Sequence, residues 1–237
     1  MKIKGFTLVE VLLTMAIIGV VAALTIPTLK DNIEANNHKS QLMKTMATLR
    51  RATKMSNAMY EGGFAVADKC GTLADSPETS MTFCSIFNGT LTGATMEKES
   101  LYNAGSEVFE IPNPIYLTLA DTSLVVFSAD ANHCTLPDGE ALPNVQGEHC
   151  VGYIDVNGPN LPNKEVSSPD AVATSNDPIV SKTIDNVNVS TGFMYVPKQA
   201  AYMADVYPII FHDSTVDLAT PAGRAVFTNN TIKTHQD

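Results

Sequence analysis

Twenty-four consecutive residues, Phe6 to Leu29, contain a single charge, Glu10. At about 1.5 Å of rise per helical residue, such a run spans the roughly 30 Å hydrocarbon core of a bilayer. Lys2 and Lys4 precede it, and Lys30, Asp31 and Glu34 follow. By the excess of cations on the cytoplasmic side, the short N-terminal stub stays inside and everything after Lys30 is exported. A cleaved secretory signal also begins basic and then turns apolar, but its apolar centre is only about 7–15 residues long. The best small-x-small triplet near the far end, Ala23-Leu24-Thr25, lacks a final alanine. A carboxylate deep in lipid costs about 2.5–3.5 kcal/mol or more, so Glu10 calls for a partner.

The residues around that carboxylate carry a specific resemblance. Gly5-Phe6-Thr7-Leu8-Val9-Glu10 resembles the class III signal of type IV pilins and of the pseudopilins of type II secretion. The resemblance implies cleavage after Gly5 by a prepilin peptidase on the cytoplasmic side and methylation of the new N-terminus at Phe6. Residues 1–5 would then be a leader, and 6–29 a transmembrane helix that also forms the filament core. An α-ammonium at Phe6 gives Glu10 of a neighbouring copy a countercharge, which relieves two isolated charges in lipid and fixes the stagger of adjacent helices. The competing local fate for Glu10 is to snorkel to the near interface beside Lys4. The implied partners are copies of the chain or other pilins, the peptidase, an inner-membrane assembly platform and the membrane itself.

Gly19 and Pro27 frame the second half of the span. Pro27 removes a helical hydrogen bond and clashes with the carbonyl of Ala23, which predicts a kink. Val20, Val21, Thr25 and Ile26 lower helix propensity between them. The resemblance implies a segment that melts in filaments and lets them stretch.

Beyond Pro27 the spacing of Leu42, Met46, Leu49, Ala52, Met55 and Met59 predicts an amphipathic helical spine over 30–61, ended by Glu61-Gly62-Gly63. The helix so predicted has about 55 residues and a length of about 80 Å. The apolar stripe is read as packing against a sheet. Lys39, Lys44, Arg50, Arg51 and Lys54 form a positive belt with no acid among them, solvated or paired with the acidic heads of neighbouring subunits.

Residues 62–237 read as a globular head. Strands are predicted at Val108–Ile111, Ile115–Leu119, Ser123–Ser128, Cys150–Val156, Gly192–Val196, Val206–Phe211 and Arg224–Phe227, with a long loop over 157–190. A helix followed by strands implies an α+β, pilin-like fold: a long N-terminal helix laid on an antiparallel sheet with long loops. Acidic residues outnumber basic ones by 25 to 15, and there is no tryptophan. Nucleic acid is therefore not expected as a partner, for want of the cations that neutralise phosphate and the rings that stack bases.

Cys70, Cys84, Cys134 and Cys150 lie on the exported side, where disulfides persist. Four thiols allow three connectivities. Sequential pairing would close loops of about 15 residues, each contributing roughly 3 kcal/mol. The repeated dipeptides His133-Cys134 and His149-Cys150 raise a zinc alternative. It is the weaker reading, because adjacent side chains on a strand point to opposite faces. Asp155-Val156-Asn157-Gly158 resembles a segment that recurs in pilin-like heads. Asp155 and Asn157 make calcium a candidate ligand, although an EF-hand fails at Val166 and a metal-free turn is the stronger reading. No other cofactor is required.

The head holds no recognised nucleophile elbow or zincin spacing; His212-Asp213-Ser214 on a strand would face alternate sides, poor geometry for a triad, and a surface loop explains the run better. A non-enzymatic filament subunit is therefore expected, of a type IV pilus or alternatively of a type II secretion system. A membrane-tethered enzyme or sensor head is the reading from a different class.

Overall fold

The computed structural model describes residues 7–102, 111–140, 142, 145–160, 181–184, 187–190, 205–219 and 223–224. Helix α1 runs from Leu8 to Tyr60, 53 residues. It starts at a reciprocal cap: the Thr7 side chain accepts from the Glu10 amide, and the Glu10 side chain accepts from the Thr7 amide. Two of the orphan donors of the first turn are thereby satisfied. The helix passes through Gly19 and Pro27 as one element. It ends where Glu61 adopts the left-handed conformation, φ 54°. The stop falls within Glu61-Gly62-Gly63 as expected, with Glu61 rather than a glycine in the left-handed conformation. Gly63 serves close passage instead, since a Cβ there would lie 2.8 Å from the Asp213 carbonyl oxygen.

The head is a six-stranded antiparallel sheet in the order β1-β2-β3-β6-β9-β10. Its strands are β1 (Thr95–Glu97), β2 (Pro114–Thr118), β3 (Leu124–Ser128), β6 (Val151–Asp155), β9 (Val206–His212) and β10 (Thr215–Leu218). Two small hairpins accompany it, β4 (Asn132–Thr135) with β5 (Gln146–Glu148), and β7 (Ser181–Ile184) with β8 (Val187–Ser190). This is the α+β arrangement that the sequence predicts.

Strands β3, β6 and β9 are buried at every position. They can be so because the sheet is covered on both faces. On one face, Leu42, Met46 and Leu49 of α1 and the helix α2 (Phe83–Thr90) pack against Ile115, Val125, Ile154 and Ile209. On the other, Tyr102 and Ile111 cover Tyr116, Val126, Tyr153 and Ile210. Phe64, Phe83, Phe87, Phe127 and Phe211 form one aromatic cluster under α1, with neighbouring ring centroids such as 4.9 Å for Phe64–Phe83 and 5.1 Å for Phe64–Phe211. Tilted and edge-on pairs of this kind add to the area they bury. Pro208 sits inside β9, where a missing amide would ordinarily break a ladder. Its carbonyl faces Ala219, just past the end of β10. The absent N–H points the same way, so the pairing with β6 is spared.

The sequence reading needs correction at several places. The buried stripe of α1 is Leu42, Thr45, Met46, Leu49, Ala52, Thr53 and Ser56, whereas Met55 and Met59 are exposed at 41% and 55%. Past Ala52 the small Thr53 and Ser56 take the inner positions, Thr53 beside Gly63 and Ser56 beside Met81. Helix α2 was not expected, nor were β1, β4, β5 and β10. Arg224, expected in a strand, is helical, and its guanidinium folds back to donate to the Leu218 carbonyl at 2.7 Å. The expected loop over 157–190 contains the β7–β8 hairpin, with Ile184 opposite Val187. Gly192–Val196 lies outside the described residues, as do 108–110 and 225–227; Ile111 is buried but not in a strand.

Candidate functional site: the assembly helix and the clamped head

Leu8–Ile26 is long and apolar enough to cross a membrane, and none of it is buried against the head. Leu8 is 78% exposed and Ile18 is 66% exposed. A continuous apolar surface of this size demands either lipid or other helices. Glu10 is the one carboxylate on it. Its Oε2 accepts from the Thr7 amide and from Thr7 Oγ1, each at 2.9 Å. These bonds orient the carboxylate at the head of the helix without neutralising its charge. Gly5 and Phe6 lie outside the described residues. Gly19 meets nothing within 4 Å of a notional Cβ, so that face of the helix is open.

The lower half of α1 is tied to the head by charge. Lys44 Nζ lies 2.9 Å from Asp121. Arg50 binds Asp217 and donates from Nε to the Val216 carbonyl at 2.7 Å. Asp217 in turn faces His212, whose Nε2 is 3.0 Å from it, while Nδ1 is 2.9 Å from Asp213. His212 and Asp213 therefore do not face opposite sides as neighbours within a strand would, because the chain leaves the strand here, as the surface-loop reading expects. Asp213 is no longer in the strand but in the turn, at φ 49°, and this swings its carboxylate back onto the ring. Both ring nitrogens are held by carboxylates, which leaves no free nitrogen to activate Ser214.

The His212 ring is almost fully buried. Burial alone would lower its pKa, but the bonds to Asp217 and Asp213 outweigh it and raise the value. The bond to His212 and the charge of Arg50 hold Asp217 below the usual carboxylate range. At the far end of the sheet, Asp155 is fully buried. Its Oδ2 accepts from the Tyr102 hydroxyl at 2.6 Å and its Oδ1 from the Asn157 amide at 3.2 Å. Burial, reinforced by the neighbouring Asp205, pushes its pKa up to about 7 against the opposing Tyr102 bond. The Asp155–Asn157 contact is the side-chain-to-backbone turn typical of these residues. Among the described residues no three His, Cys, Asp or Glu side chains gather as a metal site.

These shifts set a pH dependence with a definite sign. A raised His pKa means stability that is present below the unfolded value and lost as pH climbs through the folded one. A buried carboxyl raised to about 7 likewise costs stability as pH passes from its unfolded value near 4 toward 7. Asp217 acts oppositely and loses its contribution as pH falls through its folded pKa. The melting temperature of the head should therefore peak in mildly acidic solution and decline toward pH 8. Asp155→Asn should flatten that decline in a calorimetric pH series; an unchanged slope would contradict the assignment.

Cys70 is bonded to Cys84 and Cys134 to Cys150. All four thiols are thus consumed, which removes the sulfurs that a zinc site would need. The first bridge joins the segment after α1 to α2, and the second joins β4 to the start of β6. His133 and His149 both adopt positive φ. His133 Nε2 lies 3.0 Å from Asp68, linking the two disulfide regions, and Lys69 makes a second link to Glu148. No sequence pattern signalled Arg50–Asp217, Lys44–Asp121 or Tyr102–Asp155, since each joins residues far apart along the chain.

Residues 1–26 match the family described as the prokaryotic N-terminal methylation motif, the prepilin-type signal of type IV pilins and pseudopilins. No curated protein and no solved structure matches the chain. The motif supports a type IV pilin-like or pseudopilin protein with a membrane-anchoring N-terminal helix, and it points to a structural rather than a catalytic role. It further implies processing by prepilin peptidase and assembly with other pilins.

Proposed function

We propose that the chain is a structural subunit of a type IV pilus-like filament. A prepilin peptidase cuts after Gly5 and methylates Phe6. The anchor helix holds the subunit in the inner membrane until an assembly platform packs it, through Phe6 and Glu10, against other copies. The observation that carries this reading is the methylation motif leading into a bare apolar helix that continues, as one element, into the spine of a disulfide-clamped head. Its test is mass spectrometry of the N-terminal peptide from the native host. A chain beginning at methylated Phe6 is expected; one beginning at Met1 would overturn the proposal.

Pseudopilins of type II secretion carry the same motif, so a secretion pseudopilin is the alternative. Deletion should remove surface filaments seen by electron microscopy if the subunit builds a pilus. A block in protein export with filaments unchanged would instead assign it to secretion.

A further inference from the structure

Within the positive belt of α1, two cations are already used inside the chain, Lys44 by Asp121 and Arg50 by Asp217. Arg51 and Lys54 are exposed, and neither makes an ion pair among the described residues. With Met43, Ala47, Met55 and the already paired Arg50, they line a shallow groove of about 520 Å³ on the outer side of the helix. Met43 and Met55 are 37% and 41% exposed, on a helix whose other face is closed. Flexible thioether side chains beside free cations form a surface that can adapt to an acidic, partly apolar partner.

We propose that this outer face of α1 docks the head of a neighbouring copy of the chain. Residues 61–237 hold 22 acidic and seven basic side chains, so the head carries the charge that the belt lacks. A lipid surface fits the groove poorly. Arg51 lies 25 residues beyond Ile26, the end of the span. That is about 40 Å along a helix, against a Debye length of about 8 Å in physiological salt. The groove lies on the same helix as the bare apolar segment that the filament reading already places between copies. The inference rests on that reading and adds a specific contact to it: spine of one subunit against head of the next.

The experiment places a photo-crosslinking amino acid at Ala47 of the full chain in its native host, with a second version carrying it at Leu13 in the anchor. From Ala47, crosslinked peptides should come from residues 61–237 of another copy. Arg51→Glu with Lys54→Glu should reduce that product about tenfold. Washing sheared filaments in about 1 M salt, where the Debye length falls to ~3 Å, should do the same. Circular dichroism of the variant checks that the head is still folded. Crosslinks between copies from Leu13 with none from Ala47, or Ala47 products only with lipid or other proteins, would overturn the docking proposal and leave the filament reading standing. Silence from both positions would overturn both.

Discussion

Glu10→Gln should abolish filament assembly while leaving the subunit processed, anchored and folded. Glutamine can replace glutamate in the reciprocal cap, because its side-chain oxygen still accepts from the Thr7 amide. The helix start seen at Thr7 and Glu10 is therefore preserved, and only the charge is lost. What that charge does depends on its surroundings. In the isolated subunit the Thr7 bonds satisfy one carboxylate oxygen, Oε2, but supply no cation. In an assembled bundle of apolar helices the carboxylate would meet the α-ammonium of a neighbouring Phe6. Breaking such a buried pair costs about 3–5 kcal/mol, because one charge is left uncompensated. At about 1.4 kcal/mol per tenfold, that is roughly two to three and a half orders of magnitude in the equilibrium of each added subunit. Filaments counted by electron microscopy should fall at least ~100-fold. The N-terminal peptide should still begin at methylated Phe6. Glu10→Asp keeps the charge on a shorter arm and should assemble in part. Normal filament yield from the glutamine variant would mean that Glu10 serves the cap alone, and the proposed pairing would fall.

The parts of this fold that are legible in the sequence are those where one physical demand dominates. The apolar run and its embedded acid announce the anchor. Spacing at three and four residues from Leu42 to Ala52 announces the spine, and β2, β3, β6 and β9 appear as short apolar runs because both faces of the sheet are covered. Strands of three or four residues at the edges, such as Thr95–Glu97 and Thr215–Leu218, leave no such pattern, since one side of each meets solvent or ends early. Helix α2 left a usable signal that was missed. Thr82 and Ser85 form a reciprocal cap, and Phe83, Ile86 and Phe87 lie at helical spacing, but the eight-residue element is too short for periodicity to stand out. Met55 and Met59 continue the stripe in sequence yet face outward, because what covers the end of the helix is not part of its own pattern. That the cysteines pair was readable and their partners were not, since pairing depends on where the chain returns. The network from Arg50 through Asp217 to His212 spans more than 160 residues of sequence and exists only once the last hairpin has folded against the first helix.

Removing the Cys134–Cys150 bridge should destabilise the head more than any single surface change. The two cysteines are 16 positions apart, and closing a loop of that size restricts the unfolded chain by roughly 3 kcal/mol. The cost exceeds the entropic figure because the bridge also shapes its surroundings. Gly147, at φ 118°, passes so close that a Cβ there would sit 2.6 Å from Cys150 Sγ and 2.5 Å from the Asn132 carbonyl oxygen. His149 is held at φ 56° beside it. Without the bond, this corner relies on the β4–β5 pairing and on the backbone bonds of Cys134 to Phe64 and Asp213 and of Cys150 to Phe211. Both sulfurs are buried in the main core, so the test variant is Cys134→Ala with Cys150→Ala, which avoids burying two unpaired hydroxyls. For a domain of this size each kcal/mol shifts the melting temperature by about 2–4 °C, giving a drop of about 10 °C. The Cys70–Cys84 bridge closes a similar span, 14 positions, but Cys70 is only partly buried, so less core packing is lost with it. Its double alanine variant should therefore lose less. A calorimetric scan of both variants in detergent decides the order. If the Cys134–Cys150 variant melts within ~2 °C of the parent, a shift worth under about 1 kcal/mol, then packing around Val151 and Phe211 holds the corner and the bridge is incidental to it.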